Sequence, residues 1–211
     1  MTGKNLIASY FPDLSSQQLD LLERYAKELV QHNQGVNVIS RKNEDRVWEE
    51  HLLHSLGIAK VIQFKPGTRV LDFGTGGGLP GIPLAILFPE TSFLLVDSIG
   101  KKIRIVEEMA TSLGIQNVRA QHARVEDIQE TFDFAVSRAV KSMPVMREWL
   151  KGKIHKGKEH VIPNGFIYIK GGDFGAELSQ LRKANRIWEM SEWFEDPFFE
   201  TKKVVWVDLA T

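Results

Sequence analysis

The chain has 211 residues, enough for one well-buried domain or for one domain with an extension. Lysine plus arginine and aspartate plus glutamate each number 27, so the net charge is zero. A protein that grips naked nucleic acid by phosphate contacts alone is usually clearly basic, so any RNA role must use local patches or a substrate held partly by other proteins. The absence of cysteine excludes disulfides, thiolate metal sites and a cysteine nucleophile, including the one commonly needed for methylation at carbon-5 of a pyrimidine. The N-terminus carries no basic n-region followed by an apolar h-region, and the longest apolar stretch is too short to span a bilayer; the expected location is cytoplasmic.

Residues 1–64 read as helical. Ser15-Ser16-Gln17-Gln18 resembles a capping box, with Ser15 as N-cap and Gln18 reaching back. Leu19, Leu22, Ala26, Leu29 and Val30 then keep the spacing of one helix face, widened by Leu21 and Tyr25, until the helix fades near Asn33-Gln34-Gly35. A short extended piece, Val36–Ile39, leads to a second helix start at Asn43-Glu44-Asp45, acidic in its first turn. Val47, Trp48, Leu52, Leu56 and Ala59 mark its buried face. His51 and His54 stand one turn apart, but with no third ligand in view they read as packing or hydrogen-bonding residues and no metal site is expected.

From Phe64 the pattern becomes alternating strand and helix. Val70–Phe73 reads as a buried strand, and four glycines then fall within the five positions 74–78. Ile82–Leu87 follows with helix-like apolar density, and Pro80 and Pro83 lie where a first helical turn tolerates proline. Strand, glycine turn and helix start form a nucleotide-binding device, because glycine lets the main chain approach a ligand and the helix start offers unpaired N–H groups. Two nucleotides fit. Gly76, Gly78 and Gly81 satisfy the dinucleotide pattern G-x-G-x-x-G, with Asp97 about 20 residues on. Asp72, Gly74, Gly76 and Gly78 instead satisfy D-x-G-x-G-x-G, the turn of S-adenosylmethionine (AdoMet) methyltransferases, in which Asp97 after the strand Phe93–Val96 accepts the ribose hydroxyls. With about 70 residues before the turn and about 130 after it, the chain is short for a dinucleotide half plus a catalytic domain, which favours AdoMet.

The remaining elements follow the same rhythm. Lys101 opens a helix to about Leu113, closed by Gly114; Val118–Gln121 and Phe132–Val136 are strands three and four; a helix spans Met143–Trp149. Gly165–Lys170 is a fifth strand, Glu177–Ala184 a helix, and Ile187–Met190 and Lys203–Val207 are two late strands with no helix between them. The expected fold is α/β: a Rossmann-like class I AdoMet-dependent methyltransferase, with a mostly parallel seven-stranded sheet whose last strand is antiparallel. Residues 1–64 form its helical extension and 65–211 the methyltransferase domain.

Over its whole length the sequence resembles the glucose-inhibited division protein B family, bacterial methyltransferases acting on guanine N7 in 16S ribosomal RNA. The most specific pieces are Asp72–Ala85 and Val96–Lys102, supported by Arg124-Val125-Glu126, Val136–Ala139, Asn33, Asn37 and His51–Leu56. One departure stands out: His54 occupies the position before Ser-Leu where relatives usually carry aspartate. The resemblance implies AdoMet contacts at Gly74, Leu79, Val125, Glu126 and Arg138, besides the turn glycines Gly76 and Gly78 and the carboxylate of Asp97. Glu126 competes with a reading as solvated surface charge, and Arg138 with one as a surface salt bridge. Guanine N7 has a free lone pair and no proton to lose, so no general base is assigned, and Arg138 is expected to orient the AdoMet carboxylate or an RNA phosphate. Lys101, Lys102 and Arg104 beside the site, Lys141 at its mouth, and Lys151 and Lys153 in a loop are the candidate RNA contacts, against the bland alternative of solvated lysines. The expected partner is 16S rRNA or the small ribosomal subunit, with no DNA, membrane or metal, and the expected state is a monomer. A small-molecule methyltransferase and a non-catalytic AdoMet- or RNA-binding assembly factor remain alternatives.

Overall fold

The structure, a computed structural model, describes residues 3–138, 141–172 and 185–209. Seven strands make one sheet: β1 (Arg69–Phe73), β2 (Ser92–Asp97), β3 (Val118–His122), β4 (Phe134–Arg138), β5 (Gly165–Gly171), β6 (Asn185–Glu189) and β7 (Lys202–Val207). Their order is β3-β2-β1-β4-β5-β7-β6. The first five are mutually parallel, and β7 enters antiparallel between β5 and β6. The parallel strands and the antiparallel last strand match the expected layout, and the insertion of that strand departs from the 3-2-1-4-5-6 order of a dinucleotide fold.

Both faces are covered, so alternate residues on each strand enter opposite cores. Ile167 and Ile169 of β5, with Val204 and Trp206 of β7, face one cluster; Phe166, Tyr168, Val205 and Val207 face the other. The first cluster is completed by α4 (Gly81–Leu87), α5 (Gly100–Leu113) and the N-terminal helices, and the second by α6 (Met143–Trp149). Among the N-terminal helices, α1 (Lys4–Tyr10) and α2 (Ser16–Asn33) contribute Ile7, Leu22, Tyr25 and Leu29 to the same apolar cluster as Phe93 and Phe134 of the sheet.

The capping box is formed as expected: Gln18 N donates to Ser15 Oγ at 3.2 Å, and Ser15 N to Gln18 Oε1 at 3.1 Å. Such caps contribute about 1 kcal/mol. Gly114 closes α5 at φ 69°, again as expected.

Three stretches differ from the sequence reading. Residues 36–39 bend instead of extending, because the buried Asn33 Oδ1 accepts both Val38 N (2.8 Å) and Ile39 N (2.9 Å). The second N-terminal helix is fractured into a 3-10 piece (Arg41–Arg46), a π-helical stretch (Val47–Leu53), the single turn α3 (His54–Leu56) and another 3-10 piece (Gly57–Lys60). Apolar spacing alone cannot register that change of winding. Strand β4 begins two residues later than expected: Phe132 instead bridges to Ile154, and the Asp133 carboxylate accepts Arg69 N at 2.9 Å. The helix expected over 177–184 lies outside the described residues.

Candidate active site

At the carboxyl end of β1 the chain turns through Gly74, Gly76 and Gly78, with φ of 66°, 58° and 90°. These left-handed angles favour glycine. Asp72 holds the turn from beneath: its Oδ2 accepts Thr75 Oγ1 at 2.6 Å and Gly81 N at 2.9 Å. Gly81 needs to be glycine for this, since a Cβ there would lie 2.6 Å from that oxygen and 2.8 Å from Leu95 Cγ. Burial raises the Asp72 carboxyl to about 7, against the opposing pull of its hydrogen bonds and of Arg138. From above, Tyr25 of α2 donates its hydroxyl to Gly77 O at 2.8 Å, and Leu29 and Val38 close over Gly77, where a Cβ would meet Leu29 Cδ1 at 2.5 Å.

Two cavities open on either side of this turn and share Gly74, Asp97 and Ser98. The first, about 280 Å³, has Phe73, Val96, Val125 and Trp149 as apolar wall and Glu126 and Lys141 among its polar residues. The second, about 550 Å³, lies between Thr75, Gly76 and Leu79 of the turn and Asn37–Ser40, His51, His54 and Arg138 opposite. An apolar slot joined through a carboxylate to a polar chamber suits a nucleoside with a charged tail. The donor set fits AdoMet on this count: Asp97 stands where the two spaces meet, and the turn keeps Cβ atoms out of the way.

The sequence-predicted residues divide as follows. Gly74, Gly76, Leu79, Asp97, Val125, Glu126 and Arg138 all line one cavity or the other. Gly78 lines neither; a Cβ there would strike Ile82 Cδ1 at 2.5 Å, so it serves the close packing of the turn on α4. Asp97 has tasks beyond the expected one, since Oδ2 accepts Gly76 N (3.0 Å) and Oδ1 accepts Ile99 N (2.9 Å). Arg138 is no surface ion pair. Its NH1 donates to Glu50 O and its NH2 to His51 Nδ1, each at 3.1 Å, and burial lowers the guanidinium to about 10. Lys102 and Lys141 line the second and first cavities respectively, while Lys101, Arg104 and Lys151 are exposed outside them. Lys153 departs from its expected RNA role: its ammonium donates to the carbonyls of Glu126 and Ile128, tying down the rim of the first cavity.

Several site residues escaped the sequence reading. Trp149 was legible only as one residue of a helix, and Tyr25 only as one of an apolar face. His51 and His54, expected as packing or hydrogen-bonding residues, are both buried, and His51 Nδ1 accepts from Arg138; what the sequence did not disclose is that both line the second cavity. Among the described residues no cluster of three or more His, Cys, Asp or Glu could hold a metal ion.

Comparison with known proteins bears on the fold and the family. In solved structures, a SAM-dependent methyltransferase from Aquifex aeolicus superposes with a TM-score of 0.57 over 80% of this chain and 98% of its own, at 15% identity. An rRNA methylase from Streptococcus thermophilus reaches 0.50 over 75% and 95%, at 13% identity. Likeness at this identity speaks for the fold alone. Sequence relatives are much nearer: the ribosomal RNA small subunit methyltransferase G of Christiangramia forsetii is 49% identical over 97% of this chain and 96% of its own length. That of Bacteroides thetaiotaomicron is 50% identical over 95% and 98%. The model of the GidB family, described as rRNA small subunit methyltransferase G, matches residues 18–198, and the chain belongs to that family.

Proposed function

We propose that this protein transfers the methyl group of AdoMet to N7 of a guanine in 16S ribosomal RNA. The observation that carries the proposal is the pair of cavities meeting at Gly74, Asp97 and Ser98 in a chain of the GidB family. AdoMet supplies an activated methyl on a sulfonium sulfur, and transfer is an in-line displacement whose main demand is alignment. Val125 and Trp149 wall the adenine side and exclude water there. Asp97, already anchored by two backbone N–H groups, retains lone pairs for the ribose hydroxyls. Guanine N7 brings its own lone pair, so no side chain need remove a proton. Positive charge moves from sulfur to the purine during transfer, and polar groups placed for that charge help more than a base would. Arg138 sits in the second cavity with two of its donors already engaged, which favours a positioning role over a direct contact with the methyl donor.

The RNA-facing rim is proposed at Lys101, Lys102, Arg104, Lys141 and Lys151. Duplex RNA hides N7 in a deep groove, so the target is an unstacked base. Zero net charge favours an assembling subunit particle over a free strand, with the enzyme acting as a cytoplasmic monomer. No helix of the described residues is long and apolar enough to cross a membrane. The division into an extension (1–64) and a methyltransferase domain (65–211) is proposed as one of function, the extension supplying a wall of the acceptor chamber.

The test is transfer of tritium from labelled AdoMet to small subunits from cells lacking the endogenous activity, followed by nucleoside analysis. Label in 7-methylguanosine of 16S rRNA is expected. Tight AdoMet binding with no label in any RNA overturns the reading in favour of a small-molecule acceptor or a binding-only role.

A further inference from the structure

The glycine turn is held from two sides, and only one of them belongs to the sheet. On the sheet side, Val96 O accepts Thr75 N at 3.1 Å and Asp97 Oδ2 accepts Gly76 N at 3.0 Å. On the other, Tyr25 of α2 donates its hydroxyl to Gly77 O at 2.8 Å, while Thr75 O accepts Gly78 N at 2.9 Å. The peptide joining Gly77 to Gly78 is therefore pinned at both ends, its carbonyl by the extension and its N–H by the turn itself. Tyr25 is fully buried, and burial pushes its phenol well above the ordinary 10, so the hydroxyl stays a donor at every working pH.

The turn depends on such bonds because little else restrains it. Gly76 and Gly78 stand in the left-handed region, and no side chain at 76–78 limits rotation about the main chain. A single peptide unit, Gly76–Gly77, separates the peptide whose N–H holds Asp97 from the one whose carbonyl Tyr25 holds. With the Gly77 carbonyl released, the turn is free to swing Gly76 N off the carboxylate. Asp97, where the two cavities meet, then loses a bond that orients it.

Tyr25 reaches the turn from outside the site. Among the described residues that line the two cavities, none belongs to α2. Leu29 and Val38, packed over Gly77, bring α2 close enough for the hydroxyl to meet the carbonyl. A site whose competent arrangement is only partly populated loses affinity in proportion to that fraction. A bond that favours the competent arrangement therefore raises affinity without touching the ligand.

We propose that Tyr25 is a positioning residue for the methyl donor: by holding Gly77 O it keeps the turn, and through Gly76 the Asp97 carboxylate, in the arrangement that binds AdoMet. The N-terminal extension thus serves the donor as well as the acceptor. This inference rests on the reading of Asp97 as the ribose ligand above.

Tyr25→Phe keeps the ring and removes only the donor. Both proteins are titrated with AdoMet by calorimetry, unfolded in urea, and assayed on undermethylated small subunits. AdoMet binding by the wild-type protein is the precondition, and its failure overturns the AdoMet reading together with this one. Given that binding, Tyr25→Phe is expected to hold AdoMet about tenfold more weakly, with the KM for AdoMet rising in step. Its kcat and its KM for the particle are expected to stay within about twofold of wild type. An AdoMet affinity within about twofold of wild type overturns the proposal whatever the loss of stability, because a tyrosine that only fills the core costs folding energy and not affinity. A loss confined to kcat or to the particle's KM overturns it too, and in both of these cases the methyltransferase reading stands. Should Tyr25→Phe not fold, hydrogen exchange of the wild-type chain decides. AdoMet slowing the amides of residues 22–29 along with those of the turn supports the proposal, and protection confined to the turn and the strands overturns it.

Discussion

The two cavities flanking the glycine turn are built by different parts of the chain. The first belongs wholly to the sheet and its crossovers: β1, β2, the loops after β3 and β4, and α6. The second takes one wall from the same turn and the other from residues 37–54 of the extension. The first is the smaller, about 280 against 550 Å³. A methyl donor common to many enzymes can be held by the fold's own strand ends, where open α/β sheets bind ligands. On the function proposed above, the second cavity takes the charged tail of the donor and receives the acceptor, which differs from enzyme to enzyme, so part of its wall falls to residues outside the sheet and its crossovers. In this protein the extension also props the turn, through Tyr25 on Gly77, so the two halves are mechanically joined.

The largest effect is expected at Asp97, which serves both spaces. Asp97→Ala removes the acceptor of Gly76 N and Ile99 N along with the proposed ribose ligand. Each hydrogen bond to a charged group is worth about 1.5–3 kcal/mol, so AdoMet affinity should fall at least about a hundredfold by calorimetry. A loss of less than tenfold would dissociate the two cavities and deny Asp97 its central place.

Acid next separates the second cavity, with its two histidines, from the carboxylate buried beneath the turn. His51 and His54 are buried neutral, the first lowered to about 3 and the second well below its ordinary 6.5, with burial the leading cause in each. A depressed histidine contributes stability that is complete above 6.5 and lost as pH falls toward the folded value, because the unfolded chain takes up the proton first. Asp72 runs the other way: raised from 3.8 to about 7, it contributes stability below 3.8 that is lost as pH rises through 7. Between roughly pH 4 and 6.5 the histidines' upward slope is opposed by Asp72. His51→Asn should flatten the rise of stability in that window by up to about 1.4 kcal/mol per pH unit, and Asp72→Asn should steepen it by a similar amount. Urea unfolding at pH 4.5 and 6.5 measures both, and unchanged slopes would mean that neither group is held as its burial implies.

Trp149→Ala acts on the first cavity alone. A base stacked on an aromatic ring is worth about 1–3 kcal/mol, so AdoMet should bind about tenfold more weakly while the KM for the particle stays put. A change confined to the particle's KM would move Trp149 to the RNA side.

The same division governs what the sequence could disclose. The strand–glycine–helix signal of Val70–Leu87 depends on local angles and local spacing, so the turn, Asp72, Asp97 and a mostly parallel seven-stranded sheet are all readable. Residues 36–60 were not, for two physical reasons. The bend at 36–39 is made by a side chain, Asn33, whose capture of two backbone N–H groups leaves no periodic trace. The π-helical stretch 47–53 buries His51 and Leu53 beside Val47 and Leu52, a set that apolar spacing at ordinary helical winding does not mark. His51 therefore reads as a packing or hydrogen-bonding residue with no partner in view, since that partner, Arg138, lies 87 residues away in the chain.

The smallest effects are expected from two lysines two residues apart. Lys151 is exposed at the end of α6, whereas Lys153 is half-buried with its ammonium on the carbonyls of Glu126 and Ile128. Lys153→Met should loosen the rim that carries Val125 and weaken AdoMet binding by a few-fold, since the exposed carbonyl of Glu126 recovers part of its loss from water while the part-buried one of Ile128 does not. The salt dependence of particle binding should stay as it was. Lys151→Met should do the reverse, leaving AdoMet affinity alone and reducing the slope of log affinity against log salt by about one. Both follow from where each ammonium sits, because a charge already committed to carbonyls releases no counterion when RNA arrives. If Lys153→Met lowered the salt slope instead, its ammonium would have to leave those carbonyls on RNA binding, and the first cavity would then sense the substrate held over the second.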